Sequence, residues 1–349
     1  MIKGEQYSVI DLFCGIGGFS KGFENLGFNI LLGIDNWEIA LKTFEKNHKK
    51  TNALHKDLRE IKKEEYDKFV GKVDVIIAGP PCQGFSMSGK RNIEDDRNTL
   101  FQEVIRCVKY VNPKIVVIEN VLGLLSMKNP EGNFVKDIII QELANLGYQT
   151  KFKVLNASDY GVPQARKRII FIGSKIGNIE FPKLENKKIT VGDALGNIPD
   201  TFENKYLEPK TKFQKKMALG GIKKIYNHTP MNHNETVKKR ITFVPQGGNW
   251  KNVPSEYYQV KGEHSNNYRR LDPNKPSITI KHATKSMIIH PIFNRVVTAR
   301  EVARLQSFGD DFILEGNVSE QQQQLANAVP VLLGEAIAKE IKEALNNER

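Results

Sequence analysis

The first 175 residues switch repeatedly between two hydrophobic periods. Residues 7–13, 29–35, 73–78, 114–121 and 168–173 are short apolar runs rich in Val, Ile and Phe, and they predict buried strands. Between them apolar residues recur at helical spacing: Phe19, Phe23 and Leu26; Ile39, Leu41 and Phe44; Phe101, Val104, Ile105 and Val108; Val135, Ile138, Ile139 and Leu143. This alternation predicts an α/β fold, a parallel sheet wrapped by helices on both faces. Ligands of such sheets bind beyond the carboxyl ends of the strands.

After Ser174 the pattern breaks. Prolines 182, 199, 209, 230, 245, 254, 273 and 276 interrupt the chain, with Gly220-Gly221 and Gly247-Gly248 between them. A smaller, loop-rich domain is expected there, with a short strand at 277–281. Helical spacing returns from Thr298 (Val302, Leu305, Phe308), and 325–345 reads as one or two final helices. The expected organisation is a first domain over 1–180, a second over 181–300, and a return to the first over 301–349.

Composition sharpens this division. The chain has 349 residues, 40% hydrophobic and 26% charged, enough to bury a core. Of the net charge of +12, the whole excess falls in 181–300, with 22 Lys+Arg against 9 Asp+Glu; the remainder holds 30 basic and 31 acidic residues. So lopsided a partition points to a polyanion-binding face. No apolar run approaches the roughly 18 residues of a membrane span, and the first residues lack the shape of a signal peptide. Cys14, Cys82 and Cys107 form no CxxC pair, so neither a zinc cluster nor a disulfide framework is indicated and no metal is expected. A soluble, cytoplasmic protein is the expectation.

The motifs fall at strand ends. The first strand runs into Asp11-Leu-Phe-Cys-Gly-Ile-Gly-Gly-Phe19, where Gly15, Gly17 and Gly18 permit a tight turn that a ligand can approach. A dinucleotide fingerprint needs a third glycine where Ser20 stands. Asp35 ends the second strand, placed to bind a ribose diol, and Asp57 follows the next break. An adenosine without pyrophosphate suits S-adenosylmethionine better than NAD. The strand at 73–78 ends in Gly79-Pro80-Pro81-Cys82-Gln83-Gly84, where two prolines fix the backbone before a cysteine outside any apolar run. Cys107, inside an apolar helix, reads as core. The next strand ends in Glu119-Asn120-Val121, an acid at the end of a very apolar run. A thiolate and a proton-donating carboxyl on neighbouring strands suit addition to cytosine C6, which makes C5 nucleophilic.

The stretches GPPCQGFSMSGKRNIEDDRNTLF and IENVLGLL resemble the cytosine-5 DNA methyltransferase family of bacterial restriction-modification systems. DLFCGIGGFS, NASDYGVPQARKRIIFIGS, RRLDPNKPSITI, TAREVARLQSFGDDF and QLANAVP follow the family order and cover nearly all the chain outside the basic region. The resemblance implies an S-adenosylmethionine-dependent methyltransferase (Rossmann-like) sheet with a smaller target-recognition domain. It makes Cys82 the nucleophile, sets Glu119 on the N3/N4 edge of the base, and has Arg166 and Arg168 hold the base and the loop. Phe13, Gly15, Gly17, Gly18, Asp35, Asn36, Asp57, Pro81, Leu100 and Asn327 would line the cofactor site. Gln83, Ser88, Lys90, Arg91 and Arg97 would meet DNA. Two departures stand out: Ala326 precedes Asn327 where the family often has Gly, and Asn36 follows the ribose acid where it often has an aromatic.

A base inside a duplex must rotate out of the stack to reach a thiolate. The basic region is therefore expected to grip duplex DNA, with donors for base edges in 246–250, 264–270 and 281–285. Expected partners are duplex DNA and a cognate restriction endonuclease, with a monomer acting on DNA. The competing readings are an RNA (tRNA) cytosine-5 methyltransferase and a non-catalytic DNA-binding protein of this fold.

Overall fold

In the computed structural model, which describes residues 6–81, 100–200, 205–218, 224–257 and 266–348, the five apolar runs become strands of one sheet. They are β1 (Ser8–Leu12), β2 (Asn29–Asp35), β4 (Val75–Ala78), β5 (Ile115–Asn120) and β7 (Lys167–Ser174). Every residue of β1, β4 and β5 is buried, which explains their unbroken Val and Ile: both faces of each are covered. Two further strands were not expected, β3 (Asn52–His55) and β6 (Gln149–Asn156). The strand order β3-β2-β1-β4-β5-β7-β6 makes them the two edges. Edge strands are half solvated and carry polar residues, so their sequences lack an apolar run.

The expectation of a parallel sheet is corrected at one end. β3, β2, β1, β4 and β5 are parallel, but β7 runs antiparallel to both β5 and β6. β6 leads into β7 after only ten intervening residues, too few for a parallel crossover, which takes a dozen or more.

The chain divides into two compact units: residues 1–156, 167–184 and 333–349, and residues 157–166 with 185–332. The first unit contains the sheet with helices α1 (Gly18–Asn25), α2 (Glu38–Asn47), α3 (Lys63–Asp67), α4 (Leu100–Val111) and α5 (Val135–Asn145). A core of Val, Ile, Leu and aromatic residues joins α3, α4 and α5 to the sheet, Cys107 among them. Glycines set one helix contact: a Cβ on Gly22 would lie 2.6 Å from the Gly334 backbone.

The second unit holds α6 (Val191–Leu195), α7 (Lys212–Met217), α8 (Glu235–Thr242), α9 (Ala299–Leu305) and α10 (Val318–Asn327); α11 (Val331–Asn347) runs back into the first. Thr190, Thr211, Thr298 and Asn317 each accept the backbone N–H three residues on, in capping boxes that start α6, α7, α9 and α10. No strand forms at 277–281 among the described residues; Ser277 makes an isolated bridge to Gln164.

These units depart from the expected breaks at 180 and 300, for reasons visible in the bonding. Ala165 donates to Ser277 O at 2.7 Å and Ser277 to Pro163 O at 2.9 Å, tying 157–166 into the second unit. Arginines fasten α9 there too. Arg300 donates to the carbonyls of Tyr226, Gly309 and Phe312. Arg304 binds Asp310 and the carbonyl of Ala194, and Arg295 reaches both oxygens of Glu301.

Part of the basic excess is consequently structural. Arg270, Arg295 and Arg300 are buried, and Arg270 donates to the carbonyls of Ile241, Val244 and His290. Its expected availability for base edges is corrected, since those donors are engaged internally. Tyr268 and His282 are buried too, while His264 lies outside the described residues. Among the described residues no helix is long and apolar enough to cross a membrane, and no cluster of His, Cys, Asp or Glu is arranged to hold a metal.

Candidate functional site

The parallel strands of the first unit deliver their carboxyl ends to one edge of the sheet, and the motif residues gather there. β1 passes into a turn in which Phe13, Gly15 and Gly17 have φ of 58°, 52° and 81°. Left-handed backbone is easy for glycine and unfavourable for Phe13, so the turn's shape is imposed by its surroundings. A Cβ on Gly17 would sit 2.2 Å from His48 Nε2 and 2.7 Å from Phe44, whereas one on Gly15 would meet nothing within 4 Å. Gly17 is thus required by packing, and Gly15 opens on free space. Gly18 starts α1. Cys14 is buried and free, as a small apolar residue would be.

Asp35, at the end of β2, accepts the Gly15 N–H at 2.8 Å and the Trp37 N–H at 2.8 Å. Burial raises its carboxyl above the ordinary range, while backbone bonds from Trp37, Gly15 and Asn36 oppose that rise. Each oxygen retains a lone pair for a further donor. Asn36 is exposed, and its side chain bonds Asp57. Asp57 caps the short 3₁₀ turn at Leu58–Glu60 and pairs with Arg59 at 2.7 Å, which holds its carboxyl below the usual value.

Beside the turn, β4 ends before Gly79, Pro80 and Pro81, and β5 ends in Glu119 and Asn120. Asn120 Nδ2 donates to Pro80 O at 3.2 Å and Asn120 Oδ1 accepts from Val121 N at 2.8 Å, fastening the proline turn to β5. Glu119 is 8% exposed, and a Cβ on Gly79 would lie 3.7 Å from its Oε2. Glu119 ends an apolar run as expected, and it also has a charged partner, with Arg168 Nε 2.7 Å from Glu119 Oε1. Leu100 is buried at the start of α4. Cys82, Gln83, Ser88, Lys90, Arg91 and Arg97 lie outside the described residues.

An acid–arginine pair and a double-proline turn at the strand ends, next to the glycine turn, stand within a chain matched by one family model from residue 7 to 343, that of C-5 cytosine-specific DNA methylases. The chain belongs to that family. This methylase is 38% identical to the type II methyltransferase M.DdeI of Desulfomicrobium norvegicum, over 96% of its own length and 88% of the relative's. It is 39% identical to M1.HphI of Haemophilus parahaemolyticus, over 97% and 87%. A solved protein encoded in an Escherichia coli prophage and described as a DNA modification methyltransferase superposes with a TM-score of 0.81 at 27% identity, covering 98% of this chain and all of that one.

The methylase places two expected site residues in its second unit. Arg166 is buried and its Nη2 donates to Ala326 O at 2.9 Å, beside Asn327. Asn327 is exposed at the end of α10 and accepts from Gln323 at 3.1 Å. Sequence reasoning missed Asp11 and Ser20, whose side chains meet at 2.6 Å below the glycine turn. Ser20 drew notice there only for not being a glycine. The sole available signal for Asp11 was an acidic residue inside an apolar run.

Proposed function

We propose that the protein methylates C5 of a flipped cytosine in a specific duplex DNA sequence, with S-adenosylmethionine as donor and Cys82 as nucleophile, and that it protects DNA beside a cognate restriction endonuclease. The observation that carries this reading is the Glu119–Arg168 pair on the sheet edge where the Pro80-Pro81 turn leads to Cys82. The type II methyltransferase relatives supply the restriction-modification context.

The residues present fit the donor. Open space at Gly15 leaves the backbone there approachable by a ligand, Asp35 has acceptor capacity for ribose hydroxyls, and Asn36 with Asp57 offers polar groups for an adenine edge. Phe13, Gly17, Gly18, Pro81 and Leu100 complete the proposed cofactor set on the first unit. When bound, S-adenosylmethionine supplies an electrophilic methyl group on a sulfonium.

The chain's own groups prepare the base. The Cys82 thiolate adds to C6, and the electron pair moves onto the ring, where Glu119 at the N3/N4 edge stabilises it. C5 takes the methyl group, a base then removes the C5 proton, and the electrons of that bond expel Cys82 and restore the aromatic ring. Arg168 fixes the Glu119 carboxyl for this contact, and Arg166 braces the chain near Asn327. Gln83, Ser88, Lys90, Arg91 and Arg97 are proposed to contact the DNA, and exposed lysines of 181–300 its phosphates.

Incubation with tritiated S-adenosylmethionine, duplex genomic DNA and, separately, tRNA tests the proposal. The expected outcome is 5-methylcytosine at one short sequence in the duplex only. Label in tRNA alone would assign the activity to RNA, and label in neither would remove the enzymatic reading.

A further inference from the structure

Two carboxyls border the turn at Gly15–Gly17: Asp35 from β2 and Asp11 from β1. Asp11 is 1% exposed, and in register it stands between Gly33 of β2 and Ile77 of β4. A carboxylate so buried is unfavourable unless it is paired. Its bonding partner is neutral, the Ser20 hydroxyl of α1, which donates at 2.6 Å.

Among the described residues, the groups around it supply no positive charge. β4 offers only the apolar Val75–Ala78. The turn offers Cys14, whose thiol is itself pushed up by burial and by both carboxyls. β2 offers Asp35, a like charge, and His55 acts on Asp35. Burial first and Asp35 next raise the Asp11 carboxyl to about 7, against the opposing Ser20 bond. Near neutral pH the group is therefore poised between its two forms, at the base of a turn whose Gly15 faces free space.

The methyl donor and its demethylated product differ at one atom, a cationic sulfonium against a neutral thioether. We infer that Asp11 determines which of the two is held: its carboxylate gains its missing counter-charge from the sulfonium, so binding the donor expels a proton from Asp11 and binding the product does not. This rests on the cofactor reading above and extends it to selection between donor and product. An opposite charge favours the ionised acid, and proton release on binding is its thermodynamic counterpart. At neutral pH the arrangement favours the donor, and loss of the methyl group lets Asp11 reprotonate as the product leaves.

Calorimetric titration of the full chain with S-adenosylmethionine and with S-adenosylhomocysteine tests this, at about pH 6, 7 and 8, in two buffers of different protonation heat. Donor affinity should rise about tenfold between pH 6 and 8, the change in the ionised fraction of a group titrating near 7. Proton release should accompany donor binding, while product affinity stays within about twofold across the same range. Asp11→Asn should flatten the donor curve, abolish the proton release and bring the donor-to-product ratio to the wild-type value at low pH. Ser20→Ala removes the bond that stabilises the carboxylate and should move the midpoint of the donor curve to higher pH. A donor affinity independent of pH, equal pH curves for both ligands, or proton release persisting in Asp11→Asn would each overturn the inference. If Asp11→Asn fails to fold, an unmoved midpoint in Ser20→Ala overturns it instead. Binding of neither ligand at any pH removes the cofactor reading and this inference together, whereas flat and equal affinities remove this inference alone.

Discussion

Arg168 Nε lies 2.7 Å from Glu119 Oε1, and both side chains are close to buried. The pair exists because β7 is antiparallel to β5, with Ile170 opposite Glu119 and Ile169 opposite Asn120. The amino end of β7 thereby reaches the edge where β5 ends. A parallel β7 would carry Arg168 to the far edge of the sheet. Within the proposed mechanism, the guanidinium orients the carboxyl that meets the base.

Glu119→Gln should keep DNA and cofactor binding while slowing methyl transfer about 10²–10⁴-fold, the range for a lost acid. Arg168→Met should also slow transfer, with the acid still present but no longer fixed. Single-turnover rates measure both effects. A Glu119→Gln rate near wild type would make the carboxyl structural only.

Cys82→Ser should abolish methylation yet leave binding to duplex DNA measurable. With 5-fluorocytosine at the target, elimination is blocked because C5 has no proton to lose. A denaturant-stable complex with wild-type protein should then accumulate, and mass spectrometry should place the link at Cys82. An active enzyme that leaves no such complex would refute covalent catalysis.

The glycines separate packing from binding. Gly22→Ala would drive a Cβ to 2.6 Å from the Gly334 backbone, and such overpacking costs about 1–3 kcal/mol. Urea midpoints should show that loss, with cofactor affinity in the folded protein little changed. Gly15→Ala has room in the fold but a φ of 52°. It should weaken cofactor binding more than stability, since its Cβ fills the proposed nucleoside space.

Acid should destabilise the second unit in two steps. Burial lowers the His290 imidazole from 6.5 to about 4. Burial alone would raise Glu301, but the charges of His290 and Arg295 and the Arg295 bonds outweigh it and hold the carboxyl at about 2. With His290 neutral at neutral pH, Arg295 is the cation that counts. For both groups the unfolded chain binds protons that the native unit does not, so stability rises with pH through each window. Melting temperatures should fall from about pH 6.5 toward 4 through His290, then further toward about 2 through Glu301. His290→Gln should flatten the upper part of that slope, and an unchanged slope would count against the assignment.

Exchange of 185–332 for the equivalent segment of a relative with a different target should transfer that target. A joint placed at 300 should fail to fold stably, because it cuts α9 after its second residue and separates Arg295 from Glu301. A folded, active chimera of 185–332 that still methylates the original sequence would refute this division of labour.

The sequence by itself determined the central strands, the helices between them, and the glycine turn and acid at the sheet edge. Those features follow from local periodicity, which records burial, and from residue types that few backbone shapes require. The position of Glu119 at the end of β5 was likewise legible. Strand direction and neighbours were not, because a period of two is the same in either direction: β7 reads identically whether it brings Arg168 to Glu119 or away from it. The edge strands β3 and β6 escaped notice because half-solvated strands lack an apolar run. Charge was the other blind spot. Counting placed Arg270, Arg295 and Arg300 on a DNA-binding face, and only the tertiary structure showed their donors occupied by carbonyls and by Glu301. It likewise turned Asp11 from one polar letter in an apolar run into a buried carboxyl without a counter-charge, because solvation is a property of the packed chain.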